Sequence, residues 1–252
     1  MFRYIVFSAF LSLFTADGVA QALPDKPAES PQYKSNPIVE TNPPAHTKGV
    51  ADARVSIARL REPPKARQLY EKAMNAWVKQ KPAEAQRRLE QALSVHPTFP
   101  EALTFYAGIQ ASLQQWASAE RSLQSAMQAD PNYSPAYMVL AGVYNAQARF
   151  DDAQEATQRA IAAGADSWNV QYEIARALMG KGQYETALTV TDAALRSNQH
   201  RSMLHLAKAH ALLGLRRYLQ AATELRTCVQ DEPEGEGSAQ ARDLLNQIPG
   251  AV

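Results

Sequence analysis

Residues 100–133 read PEALTFYAGIQASLQQWASAERSLQSAMQADPNY. Pro100 and Glu101 open a helical pattern in which Leu103, Tyr106, Ala107 and Gln110 fall on one stripe, at the three- and four-residue spacing of a helix face. A second stripe follows with Trp116, Ala119, Leu123 and Ala126. Pro131 cannot continue that second helix, because proline lacks the backbone donor and its ring clashes with the preceding turn. The stretch therefore predicts two antiparallel helices closed by a turn.

The same pattern recurs on both sides at a spacing of 34 residues without an insertion. Alanine stands at 73, 107, 141, 175 and 209, again at 85, 119, 153, 187 and 221, and again at 92, 126, 160 and 194, where Cys228 takes the fifth place. Trp116, Phe150, Tyr184 and Tyr218 form an aromatic column, with Pro82 in the first unit, and Pro97, Pro131 and Pro233 form a column after each second helix. Where that proline is missing, Gly164 and Asn198 sit in the turn, and both tolerate the left-handed backbone of a helix stop. Small side chains at fixed places let helix axes approach closely where they cross.

This pattern resembles the tetratricopeptide repeat family, with five repeats at 66–99, 100–133, 134–167, 168–201 and 202–235. The resemblance implies an all-α fold, a right-handed tetratricopeptide-repeat superhelix (an α-solenoid), and no repeat can bury its apolar face alone. A cap is expected from residues 236–252: in SAQARDLLNQI, 238–248, Ser238 is expected to cap the helix, Leu244, Leu245 and Ile248 to pack back, and Gln240, Asp243 and Gln247 to face water.

The resemblance further implies that positions 2, 5, 9, 12 and 13 of each first helix line a concave surface that binds peptides. On this chain those positions nominate Tyr70, Met74, Trp77, Met138, Asn145, Tyr172, Arg176 and Met179 as an exposed groove, with Gly180 and Gly214 also at position 13. A protein or peptide with apolar anchors, extended or helical, is the expected partner. Some members of the family grip a C-terminal carboxylate with lysine, asparagine and arginine. Here Tyr70, Met74, Thr104 and Gly108 stand at those places, so that clamp is missing. A competing expectation packs Met74 and Trp77 beneath residues 49–62, as core.

Before the repeats the chain changes in kind. Residues 1–22 combine an early Arg3, an apolar run from Ile5 to Phe14 and Val19-Ala20-Gln21-Ala22, a signal-peptide pattern with cleavage after Ala22. The run is about half of what a bilayer-spanning helix needs, so no membrane span is expected after cleavage. Export to the periplasm or beyond follows. Residues 23–48 carry prolines at 24, 27, 31, 37, 43 and 44 and read as a disordered tether. Residues 49–65 are expected to hold a short helix capped by Ser56.

Across all 252 residues the net charge is +1, which speaks against nucleic acid as a partner, and 46% hydrophobic with 20% charged residues is ordinary for a globular protein. No phosphate-cradling loop, zinc motif or nucleophile elbow is present, so no cofactor, metal or catalytic residue is expected. His200, His205 and His210 are five residues apart, which does not place them on one helix face. Cys228 is expected to fill a small hole as its alanine counterparts do. Three functions follow, in descending order: a non-catalytic interaction scaffold of the bacterial envelope, a pilus or secretion-system assembly factor, and an enzyme using Cys228 or the histidines.

Overall fold

The computed structural model describes residues 63–165, 168–197 and 201–248. The expected signal peptide, the tether and the pre-repeat helix capped by Ser56 lie outside the described residues. Eleven helices and no strand occur among those described. They are α1 (Pro64–Val78), α2 (Pro82–Val95), α3 (Pro100–Ser112), α4 (Trp116–Ala129), α5 (Ser134–Ala146), α6 (Phe150–Ala162), α7 (Trp168–Gly180), α8 (Tyr184–Ser197), α9 (Ser202–Gly214), α10 (Tyr218–Asp231) and α11 (Glu236–Gln247). The first helix of each pair is called helix A and the second helix B.

Every helix B begins on the column of Pro82, Trp116, Phe150, Tyr184 and Tyr218. Helices A begin at Pro100, Ser134, Trp168 and Ser202, but α1 starts at Pro64, two residues ahead of Ala66. Pro63 and Pro64 account for the difference: a proline fits the first helical position, where no donor is needed.

The A-to-B turn repeats with the same geometry. Gln80, Gln114, Ala148, Gly182 and Arg216 all have positive φ, between 57° and 74°. The following residue donates its N–H five residues back, as Lys81 does to Ala76 and Arg217 to Leu212, at 3.0 and 2.9 Å. This is the Schellman stop. Only one of the five sites is glycine, so the sequence alone hides it. Helix B ends in two ways: two residues before Pro97, Pro131 and Pro233, or at Gly164 with φ of 86°.

The alanine columns are the seam of the stack. Fourteen of the fifteen side chains in them are 0% exposed, and the fifteenth, Ala194, is 4% exposed. Leu89, Leu123 and Leu225 fill the helix B core at one further column, which Thr157 and Thr191 occupy in the third and fourth repeats. Both threonines are buried and both donate their hydroxyls to carbonyls of their own helix, at 2.7 and 3.0 Å, which satisfies the only polar atom they add. Each helix B packs on its own helix A and on the next one. The helices A of neighbouring repeats also touch from α3 through α5 and α7 to α9, while no helix B meets another to a comparable extent. Helices A therefore form the inner layer.

The aromatic column stitches repeats together. A Cβ built on Gly180 would fall inside the Phe150 ring, and one on Gly214 would fall inside the Tyr184 ring. These two glycines make room for the aromatic residue of the preceding repeat. Tyr218, which has no repeat after it, is left exposed together with Leu219.

The last helix, α11, covers the stack by burying Ala241 and Ile248, with Leu244 and Leu245 packed at the edge of the same cluster. Its N-cap is Gly235, not Ser238. Ser238 sits inside the first turn, buried, and donates to the main-chain oxygen of Glu232, with Cys228 O at 3.4 Å, so it closes the end of α10 instead of opening α11. Gln240 also departs from expectation: it turns inward, with its Nε2 3.4 Å from His210 Nε2.

Candidate functional site

Equal positions on successive helices A form rows along the inner layer, because no insertion disturbs the period. The row at position 5 is Tyr70, Thr104, Met138, Tyr172 and Leu206, and all five are buried. Asn145, at position 12 of α5, is buried as well. This corrects the expectation of an exposed groove at Tyr70, Met138, Asn145 and Tyr172. Met74, Trp77, Arg176 and Met179 are half-buried.

Packing between adjacent helices A explains part of the difference. Tyr70 packs against Phe99 and meets the edge of Phe105, with centroids 5.3 and 6.1 Å apart, and Trp77 meets Phe105 edge-on at 5.9 Å. Phe105 belongs to the next repeat, so Tyr70 and Trp77 hold the first junction together. Met138 packs with Ala160 and Val170, and Tyr172 and Met179 belong to the large cluster that runs through α7 to α11.

Polar groups on the same layer pair with one another, most densely around Glu173. Asn145 Nδ2 donates to the main-chain oxygen of Glu173 at 3.0 Å and to its Oε2 at 2.8 Å. Arg176 Nη1 donates to both carboxylate oxygens of Glu173, at 3.1 and 3.0 Å, and its guanidinium lies 5.7 Å from the Tyr172 ring centroid. Burial works against the charge on Arg176, but the Glu173 carboxylate more than offsets it and holds the guanidinium above its ordinary pKa. Burial, with a smaller contribution from the Arg176 charge, lowers His210 to about 4, so His210 is neutral at pH 7. In the first two repeats Arg67 and Glu101, both at position 2, face each other at 3.5 Å.

Three oxygens on this layer accept no hydrogen bond among the described residues: Thr104 Oγ1, Asn145 Oδ1 and Asn169 Oδ1. The indole N–H of Trp168 is buried and also finds no partner among the described residues. Sequence reasoning singled out Asn145 but not Thr104 or Asn169 as notable, since nothing in the period distinguishes a satisfied polar residue from an orphaned one.

Cys228 and His205, two of the residues proposed for enzyme chemistry, sit elsewhere. Cys228 is fully buried, and burial followed by the nearby Glu232 and Asp231 carboxylates pushes its thiol up to about 12, so almost no thiolate forms at neutral pH. His205 Nδ1 is 2.7 Å from Glu224 Oε2 and its Nε2 is 3.7 Å from Asp231. Lys208 bridges Glu224 and Asp192 at 2.8 Å each. This network pins α8, α9 and α10. Burial alone would raise Glu224, yet His205 and Lys208 bring its carboxyl below the ordinary value. Among the described residues no cluster of histidine, cysteine or carboxylates has the makings of a metal site.

Comparison with known proteins agrees with the helix pairs and the buried seam. A family model for the tetratricopeptide repeat matches residues 79–141 and 113–167. A thermophilic tetratricopeptide-repeat protein from Thermus thermophilus superposes with a TM-score of 0.65 at 18% identity, over 73% of this chain and 98% of that one. Pseudomonas aeruginosa pilF superposes with 0.59 at 15% identity, over 74% and 93%. PilW, a type IV pilus biogenesis factor, does so with 0.60 at 13% identity, over 73% and 94%. No curated protein matches the chain significantly. Residues 79–167 carry the tetratricopeptide repeat that the family model describes, and the described residues form an α-solenoid of consecutive repeats of that fold. That fold supports a protein–protein interaction scaffold. No helix among the described residues is long and apolar enough to cross a membrane.

Proposed function

We propose that this protein is a non-catalytic interaction scaffold of the bacterial cell envelope that binds a polypeptide along the inner layer of its helices A. The observation that carries the reading is the row geometry: Met74, Trp77, Arg176 and Met179 stand half-buried at equal positions of an uninterrupted stack. Methionine adapts to irregular partners, and tryptophan and arginine are the residues that most often dominate binding energy. Export rests on the leader pattern of residues 1–22.

Binding is tested with Met179→Ala and Trp77→Ala in crosslinking from envelope extracts. Loss of the crosslinked partner by a protein that is still folded at the assay temperature is the expected result for Met179→Ala, which also loses some packing at the edge of the α7–α11 cluster; unchanged capture by both variants would sink the reading. Trp77→Ala is expected to cost stability too, because Trp77 touches Phe105. Intact mass of the exported protein tests the leader, with Leu23 the expected first residue. A second reading, assembly of a pilus or secretion system, draws on the leader and on fold likeness to pilF and PilW. Loss of surface pili on deletion, restored by the intact chain, distinguishes it.

A further inference from the structure

We infer that the last A-to-B turn and the start of α10, residues 216–219, dock the protein on an anionic lipid surface, with Tyr218 and Leu219 entering the headgroup layer and Arg216 and Arg217 meeting phosphates. This contact is separate from the inner layer and does not depend on it. Comparison of the five repeats singles the turn out. Position 18 faces solvent in every repeat, and it is Ala83, Ala117, Asp151 and Glu185 in the first four. In the fifth it is Leu219, 76% exposed. At position 17, Trp116, Phe150 and Tyr184 are half-buried, the last two against a glycine of the following helix A, whereas Tyr218 is 46% exposed. The closing helix α11 covers neither side chain. Single exposed apolar residues are ordinary on a protein surface, but here two large ones stand side by side next to two arginines.

The charge beside the apolar pair is positive. Arg216 and Arg217 are both exposed; Arg217 meets Glu185 at 2.6 Å, while Arg216 joins no ion pair among the described residues. The same bias runs along the rim: residues 79–81, 113–115, 147–149, 181–183 and 215–217, which join each helix A to its helix B, include six lysines and arginines and no carboxylate. Arg149 and Lys181 are offset by Glu120, Asp152 and Asp151, so the excess falls at the two ends of the rim. Of the five large apolar residues that are exposed among those described, Val78, Leu113, Tyr218 and Leu219 lie on or beside these turns. The acidic residues Glu232 and Glu234 follow the far end of α10, a helix of 14 residues. That places them about 20 Å from Arg216, more than two Debye lengths of about 8 Å, so they do not cancel its field.

The size of the patch selects the partner. A stable protein interface takes about 800 Å² and about 20 residues from each side. Around Tyr218 and Leu219 the surface is polar, with Gln183, Arg216, Arg217, Gln220 and Thr223 all exposed. A lipid surface needs no such area. Tyrosine sits at the headgroup level with its ring in the apolar boundary and its hydroxyl in water, leucine enters the boundary, and arginine pairs with phosphate oxygens. Two apolar side chains and two arginines make a weak, reversible and salt-sensitive contact.

The test mixes the full chain with vesicles of phosphatidylcholine alone or with about one third phosphatidylglycerol, and reads the bound fraction by co-sedimentation. Binding to the anionic vesicles is expected to be about tenfold tighter, and about 0.5 M salt should remove the preference. Leu219→Ser and Arg216→Gln are each expected to weaken binding to anionic vesicles about three- to tenfold. Both residues are exposed, so both variants should melt with wild type, and all proteins carry the same residues 1–62, so a difference between them reads the turn alone. Arg87→Gln, at an exposed place on α2 away from the rim, should bind as wild type does. Equal binding to the two kinds of vesicle, or unchanged binding by Leu219→Ser and Arg216→Gln, overturns the inference. If the wild-type chain dimerises without lipid and Leu219→Ser returns it to a monomer, the patch is an interface between copies and the assignment to lipid is wrong.

Discussion

The seam between the helices and the inner layer of helices A are built from the same five repeats, yet they obey different rules. At the seam every repeat repeats itself: alanine fills fourteen of fifteen places and Cys228 the last, because each place is fixed by the separation of two helix axes. On the inner layer the row at position 5 runs tyrosine, threonine, methionine, tyrosine, leucine, and the polar members are not all paired. A surface under one geometric constraint converges on one residue, while a surface that meets different neighbours at each step does not. The difference separates what holds the stack from what can recognise a partner.

Overfilling the seam is the strongest way to test the contrast. Ala141→Leu puts three heavy atoms into a place with no exposed surface, and about 3 kcal/mol or more of stability should be lost, read from urea unfolding. An Ala141→Leu variant as stable as wild type would mean that the axes are free to move apart and that the seam is not what fixes the stack.

Acid should reveal the inner layer next. His210 has a folded pKa of about 4 against 6.5, so the folded state resists its protonation. The stability held by neutral His210 is fully present above about pH 6.5 and is lost progressively as the pH falls from there towards 4. Depressed Glu224 acts in the same direction, its contribution fading as its carboxyl protonates. Melting temperature between pH 7 and 4.5 should therefore fall less in His210→Gln than in wild type. Parallel curves for the two proteins would show that His210 titrates freely.

A smaller effect tests the aromatic stitch. Gly180→Ala gains helix propensity of about 1 kcal/mol but drives its methyl into Phe150. It should destabilise the wild-type background by about 1 kcal/mol, and stabilise by about that much when Phe150→Ala has removed the ring. The sign change, measured by thermal unfolding of the four proteins, is the expected result.

The smallest effect belongs to the one seam place that is not alanine. Cys228→Ala should change stability by about 1 kcal/mol or less, because it removes a single atom and restores the residue of the other repeats. Thiol reagents should label Cys228 only as the protein unfolds, and rapid labelling of the folded chain would contradict its burial.

The stack was legible in residues 66–235 because its signals are local and periodic. Alanine at 107 and 119 says that two helices cross closely, and Pro131 says where the second one stops, whatever the rest of the chain does. The Schellman turns were not legible, since Gln80, Gln114, Ala148 and Arg216 adopt the left-handed backbone without glycine's help, held there by the two helices they join. Nor was the exposure of the inner layer. Positions 5 and 12 looked open by resemblance, yet Tyr70 at the first is covered through Phe99 and Phe105, and Asn145 at the second reaches Glu173 on the next helix A. The sequence by itself determined the period, the helix pairs and the small-residue seam, since these depend on spacing along the chain. Only the tertiary structure decided which inner residues are buried, which glycines serve an aromatic ring and which oxygens are left without a donor, because each of those depends on the distance between side chains about 30 residues apart.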